Sequence, residues 1–124
     1  METIFKQQND TEAVAEDSTI AEDEKIILCA ACFHHITDPG KQVQINQSFT
    51  HIFSNPHGIV FEIGCFAEAP GCYPASPFYS EFSWFIGYSW SIAACSNCSD
   101  HLGWVFSSQS DGFWGLILDK LIFT

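Results

Sequence analysis

Short alternating runs, glycine- and proline-rich breaks between them, and two widely separated Cys-x-x-Cys pairs predict an all-β domain closed by a metal ion. Lys25–Cys29 (KIILC) is a short apolar run suited to a first strand. Thr37-Asp38-Pro39-Gly40 is a polar turn, and Gln42–Asn46 (QVQIN) then alternates polar and apolar, as a half-buried strand does. Ser48–Phe53 (SFTHIF) alternates again, up to the turn cluster Ser54-Asn55-Pro56-His57-Gly58. Ile59–Cys65 reads as the next strand. Residues 66–80 hold Pro70, Pro74, Pro77 and Gly71 and read as a loop. Trp84–Trp90, Leu102–Phe106 and Phe113–Ile117 are aromatic runs broken by Gly87, Gly103 and Gly115. No window sustains a helical period.

Charge divides the chain. Residues 1–24 carry eight acids, one lysine and a single aromatic residue, Phe5. So acidic a segment buries too little apolar surface to offset its ordering entropy. It is expected to be a disordered acidic tail, with the folded domain at 25–124. All four cations of the chain are lysines, and its net charge is −11. That balance speaks against nucleic acid, where Lys and Arg supply most of the affinity, and against anionic membrane surfaces. There is no signal pattern, and no apolar run of the ~18 residues a span requires. The expected location is cytoplasmic, where disulfides are rare, so the six cysteines call for another use.

Cys29-Ala30-Ala31-Cys32 and Cys95-Ser96-Asn97-Cys98 supply it. Each turn brings two thiolates to one ion, and two such turns make the four soft ligands of structural Zn²⁺. An ion held by Cys29, Cys32, Cys95 and Cys98 would close a long loop. The alternatives are four free thiols or a redox pair, but a redox CxxC opens a helix in a βαβ unit, a context absent here. His34, His35 and His101 lie near the pairs and are possible substitute ligands. Cys65 and Cys72 remain, either as small buried hydrophobes or as reactive thiols.

Trp84 and Trp90 stand at even spacing, as do Trp104 and Phe106. On strands, each pair would share a face. Such aromatics are either ordinary core or the walls of a box that holds flat or cationic groups.

Taken together, the two cysteine pairs, Asn55-Pro56-His57-Gly58, Ser83-Trp84-Phe85-Ile86-Gly87-Tyr88-Ser89-Trp90, His101-Leu102-Gly103-Trp104-Val105-Phe106 and Phe113-Trp114-Gly115-Leu116 resemble the cereblon-type thalidomide-binding (CULT) domain, in its short bacterial single-domain form. The resemblance covers about residues 25–124. It implies two antiparallel sheets pinned by structural zinc, the β-tent. It implies a binding module for glutarimide and related cyclic imides, including uracil-like rings and C-terminal cyclic imides on damaged proteins. Trp84, Trp90 and Trp104 would line the cage and Phe106 its base. Backbone groups of Phe82 and Trp84 would bond the imide, with Asn55 and Pro56 on the neighbouring loop. Phe82 stands where the eukaryotic domain commonly has His, so the resemblance does not extend to side-chain contacts with larger ligands there. The expected protein is not an enzyme. The competing readings are a methionine sulfoxide reductase-like enzyme on the same fold, which needs a nucleophilic Cys65 or Cys72, and a zinc-knuckle protein-interaction domain.

Overall fold

The computed structural model describes residues 24–124. The acidic tail lies outside the described residues, except for Glu24. The strands are β1 (Ile27–Cys29), β2 (His35–Thr37), β3 (Thr50–Ser54), β4 (Val60–Phe66), β5 (Cys72–Pro74), β6 (Ser89–Cys95), β7 (His101–Ser107), β8 (Gly112–Ile117) and β9 (Leu121–Phe123). They form two antiparallel sheets, one of order β2-β1-β9 and one of order β3-β4-β8-β7-β6-β5. No α-helix occurs among the described residues, and none of their elements is a helix long and apolar enough to cross a membrane.

Strand alternation gives the large sheet two buried faces. One carries Phe66, Ala93, Cys95, Leu102 and Leu116 and packs on Ile27, Cys29, Ile36 and Leu121 of the small sheet and its flank. The other carries Ile63, Cys65, Phe106, Phe113 and Ile117. Among the described residues no second sheet covers that face. Phe85 does so instead, reaching in from the connection between β5 and β6. It is 2% exposed, and its ring meets Phe106 at 4.9 Å and Phe113 at 5.0 Å, edge to face in both cases.

Three expectations about elements need correction. Gln42–Asn46 is not a strand. Val43 N–H donates to Cys65 C=O and Ala67 N–H to Lys41 C=O, but Asn46 and Gln47 take positive φ (51° and 73°). That reverses the chain before a ladder can form. The 66–80 loop does contain a strand, β5. Its Pro74 is tolerated because β5 is the sheet edge, and because Pro74 opposes Ala93 one residue before the bonded pair in which Ala75 N–H donates to Ile92 C=O. Finally, Trp84 is not on a strand with Trp90, since β6 starts only at Ser89.

Candidate functional site: a cysteine cluster and an aromatic cleft

The two Cys-x-x-Cys turns are built alike. In the first, Phe33 N–H donates to Cys29 C=O at 2.7 Å and Cys29 N–H to His34 C=O at 2.9 Å. In the second, Ser99 N–H donates to Cys95 C=O at 2.8 Å and Cys95 N–H to Asp100 C=O at 3.0 Å. Phe33 and Ser99 both sit at φ 66°, a conformation costly for non-glycine residues and kept where surrounding bonds enforce it. The four sulfurs lie within 4.8 Å of one another. Cys29 Sγ is 3.8 Å from Cys98 Sγ, and Cys32 Sγ is 3.6 Å from Cys95 Sγ. A tetrahedron with arms of ~2.3 Å has edges of ~3.8 Å, so the set fits Zn²⁺ in size and donor chemistry. An ion there would join β1 of the small sheet to the β6–β7 hairpin of the large one.

The histidines stand elsewhere. His34 Nε2 bonds Ser96 Oγ, and His35 is exposed on β2. His101 faces away from the cysteines, into a cleft on the other side of the large sheet. The reason is a bulge. Ala93 opposes Gly103 but Ala94 opposes His101, which leaves Leu102 as an extra residue. Leu102 therefore turns into the core beneath the small sheet, while His101 and Trp104, three residues apart, share the opposite face. Gly103 makes this possible with φ 153°, and a Cβ there would collide with the Gly115 carbonyl oxygen.

The cleft has a volume of about 630 Å³. Asn55, Pro56, Phe82, Trp84, Trp90, Trp104 and Phe106 all line it. His57, Phe61, Ile92 and His101 line it too and were missed in the sequence. His101 needed the bulge to be seen. Phe61 and Ile92 obey strand alternation but sit among many apolar residues that obey it equally. The floor follows from register: Trp90 opposes Phe106, and Ile92 opposes Trp104, so four side chains rise from one face. Gly115 lies opposite Trp104. A Cβ at Gly115 would come within 3.0 Å of Phe106 Cε2, so the glycine leaves Phe106 room to lie flat.

The walls are latched by their own polar atoms. Trp90 Nε1 donates to Glu81 C=O at 2.7 Å, and Trp84 Nε1 donates to Ser54 C=O at 3.1 Å. Trp84 stacks on Phe53 at 4.9 Å and meets Trp104 at 4.7 Å, nearly perpendicular. Its neighbour Phe85 pegs the same loop into the core, so alternation presents Trp84 to the cleft. The rim beside Trp84 is the β3–β4 hairpin, whose Ser54 carbonyl accepts the Trp84 indole N–H. Asn55 Oδ1 accepts from His57 N–H at 2.9 Å and Ile59 N–H at 3.0 Å. That side chain therefore shapes the turn, and its amide nitrogen is left over.

Phe82 stands out. It is bulky, 73% exposed, and held at φ 61°. Among the described residues, neither its carbonyl nor the Trp84 backbone N–H has a hydrogen-bond partner. Phe82 and Trp84 both line the cleft with the aromatic walls, and their backbone offers one unpaired acceptor and one unpaired donor.

Cys65 and Cys72 are both buried. Burial pushes each thiol up to about 12, with the Cys95 and Cys29 charges adding to the effect at Cys72. Neither lines the cleft. A nucleophilic cysteine is activated by the opposite environment.

No family model matches the chain. Part of it is similar to cereblon from several animals. Cereblon of Danio rerio is 38% identical over 75 residues, which cover 56% of this chain and 17% of that protein. Cereblon of Gallus gallus is 35% identical over 75 residues, again 56% of this chain and 17% of the relative. Cereblon of Drosophila erecta is 29% identical over 91 residues, covering 69% of this chain and 15% of the relative. The chain thus spans less than a fifth of these relatives' length. With the two sheets and the four-cysteine cluster already described, this similarity supports a cereblon-type domain within the chain.

Proposed function

We propose that this chain is a non-enzymatic binding module that holds a neutral cyclic imide, of the glutarimide or uracil-like kind, between Trp84, Trp90 and Trp104 above Phe106. The observation that carries this reading is the pairing of aromatic walls with the free Phe82 carbonyl and the free Trp84 N–H. An imide matches that set. Its flat ring fills the walls, its N–H donates to a carbonyl, and its carbonyl oxygen accepts from an amide. A cation offers no acceptor for the Trp84 N–H, and Asp100 is the sole acid between Phe82 and Val105. Asn55 and Pro56 contact the part of the ligand that leaves the cleft. Where the imide is the C-terminal cyclic end of a damaged protein, that part is polypeptide. Zn²⁺ on Cys29, Cys32, Cys95 and Cys98 is structural, because all four positions of its tetrahedron are filled by protein. The binding unit is 25–124, so a chain that begins at Lys25 keeps its affinity within about a few-fold of the full chain.

Intrinsic tryptophan fluorescence of zinc-loaded protein tests this. Glutarimide is expected to bind in the micromolar range, ~8 kcal/mol. N-methylglutarimide is expected to lose most of that affinity, because the Phe82 carbonyl is left buried and unpaired. Tetramethylammonium is expected to compete weakly. Equal binding of the two imides, or tighter binding of the ammonium, would overturn the proposal.

A further inference from the structure

His101 is the one cleft residue whose side-chain polarity is fixed by the backbone of its own strand. Its Nε2 lies 2.9 Å from the Gly103 carbonyl oxygen. A carbonyl can only accept, so Nε2 carries the hydrogen and Nδ1 carries the lone pair. Burial holds the ring below the ordinary imidazole value, so the neutral form prevails at pH 7. The ring also stands perpendicular to Trp104 at 5.0 Å, which fixes its plane. Among the described residues, nothing donates to Nδ1. His101 lines the cleft, and its Nδ1 is an unpaired acceptor among the lining residues besides the Phe82 carbonyl. A plain imide has one N–H and can satisfy one of the two.

We propose that His101 Nδ1 is a specificity-determining acceptor, which makes the cleft prefer a ring with two N–H donors, a cyclic ureide, over the isosteric imide with one. This rests on the imide-binding reading above and deepens it. Dihydrouracil and glutarimide form the sharpest pair for the comparison: both are six-membered, both keep an N–H between two carbonyls, and they differ by one ring NH in place of CH₂. The second N–H gains a partner at Nδ1. Without that partner it would be desolvated unpaired, and the ureide would be the poorer ligand.

The experiment is calorimetry of zinc-loaded full chain with glutarimide and with dihydrouracil, on the native protein and on His101→Phe, which keeps an aromatic ring against Trp104. The native protein is expected to favour dihydrouracil by roughly five- to tenfold. His101→Phe is expected to abolish or reverse that preference, read as the ratio of the two affinities measured on the same variant. An unchanged ratio in the variant overturns the inference. Should the variant fail to fold, the native protein labelled with ¹⁵N-histidine decides alone. The Nδ1 resonance of His101, characteristic of an unprotonated nitrogen, is expected to move upfield with dihydrouracil and to stay with glutarimide. No difference between the two ligands overturns the inference. Failure of both ligands to bind at all counts instead against the imide-binding reading on which it rests.

Discussion

The two ends of the β6–β7 hairpin are made from the same strands and do opposite things. At the Cys95–Cys98 end the Cys95 N–H and C=O and the Ser96 N–H are bonded to backbone, the Asn97 N–H to Cys95 Sγ, and the sulfurs converge on one point. At the other end, around Trp90 and Phe106, the indoles are latched but the adjoining Phe82 carbonyl and Trp84 N–H are not paired. One end spends its polar groups on itself and is a clamp. The other keeps them unspent beside apolar walls, as a site that must pair them with a ligand does. The lesson is one of division: the four-cysteine clamp ties the small sheet to one end of the hairpin, so the other end can keep polar backbone groups unpaired beside its aromatic walls.

The largest expected effect breaks the clamp. Cys29→Ser, or chelation of the metal, is expected to unfold the domain, since structural zinc contributes on the order of 10 kcal/mol. Circular dichroism with rising chelator is the check, and an unchanged melting curve would count against a structural ion. Next comes the peg between the two ends. Phe85→Ala removes the ring that covers Phe106 and Phe113 and is expected to cost roughly 3–5 kcal/mol in denaturant unfolding, together with loss of ligand binding. Trp104→Ala separates the ends more cleanly. It is expected to weaken imide binding by about 2 kcal/mol or more, with a smaller loss of stability than Phe85→Ala. Equal losses of stability at the two positions would mean that the walls are simply core.

Two smaller effects sharpen the contrast. Asn55→Ala deletes the acceptor of two turn N–H groups and is expected to cost about 1 kcal/mol in thermal or urea unfolding. The smallest concerns Asp111. Hydrogen bonds from Ser108 and then Tyr88 hold its carboxyl below the ordinary value of 3.8. A carboxyl depressed on folding contributes stability that is complete above its unfolded value and disappears as pH falls through its folded one. Asp111→Asn is therefore expected to lower stability slightly near neutral pH and to leave it unchanged in strong acid. Parallel pH profiles for the two proteins would contradict this.

The clamp was legible because Cys-x-x-Cys is a local signature: four residues define each turn, and two such turns predict the four-cysteine cluster that the fold assembles. The strand β1 was legible as a short apolar run, β3 by alternation, and β4 as the run that follows the Ser54–Gly58 turn cluster. What escaped notice depended on tertiary register. β5 hides behind Pro74, because an edge position that needs no N–H looks in sequence like a break. Gln42–Asn46 alternates like a strand, yet the positive φ of Asn46 and Gln47 turns it away. The cleft was half legible. Trp104 and Phe106 share a strand face as their spacing requires, but Trp84 joins Trp90 in the cleft lining from a loop whose next residue, Phe85, is pegged into the core. His101 looked like a companion of the cysteines, and the extra residue Leu102 turned it to the other face. A bulge leaves no trace in alternation except a glycine, and Gly103 resembles the other glycines until its neighbours are known.

The most direct test of the account follows the two unpaired backbone groups themselves. In zinc-loaded protein labelled with ¹³C and ¹⁵N, added glutarimide is expected to shift the Phe82 carbonyl carbon and the Trp84 amide most strongly. The resonances of the two cysteine turns should stay in place, and N-methylglutarimide should produce little change at Phe82. Shifts centred on the cysteine turns, or the same pattern with both compounds, would contradict the claim that this cleft reads an imide through its backbone.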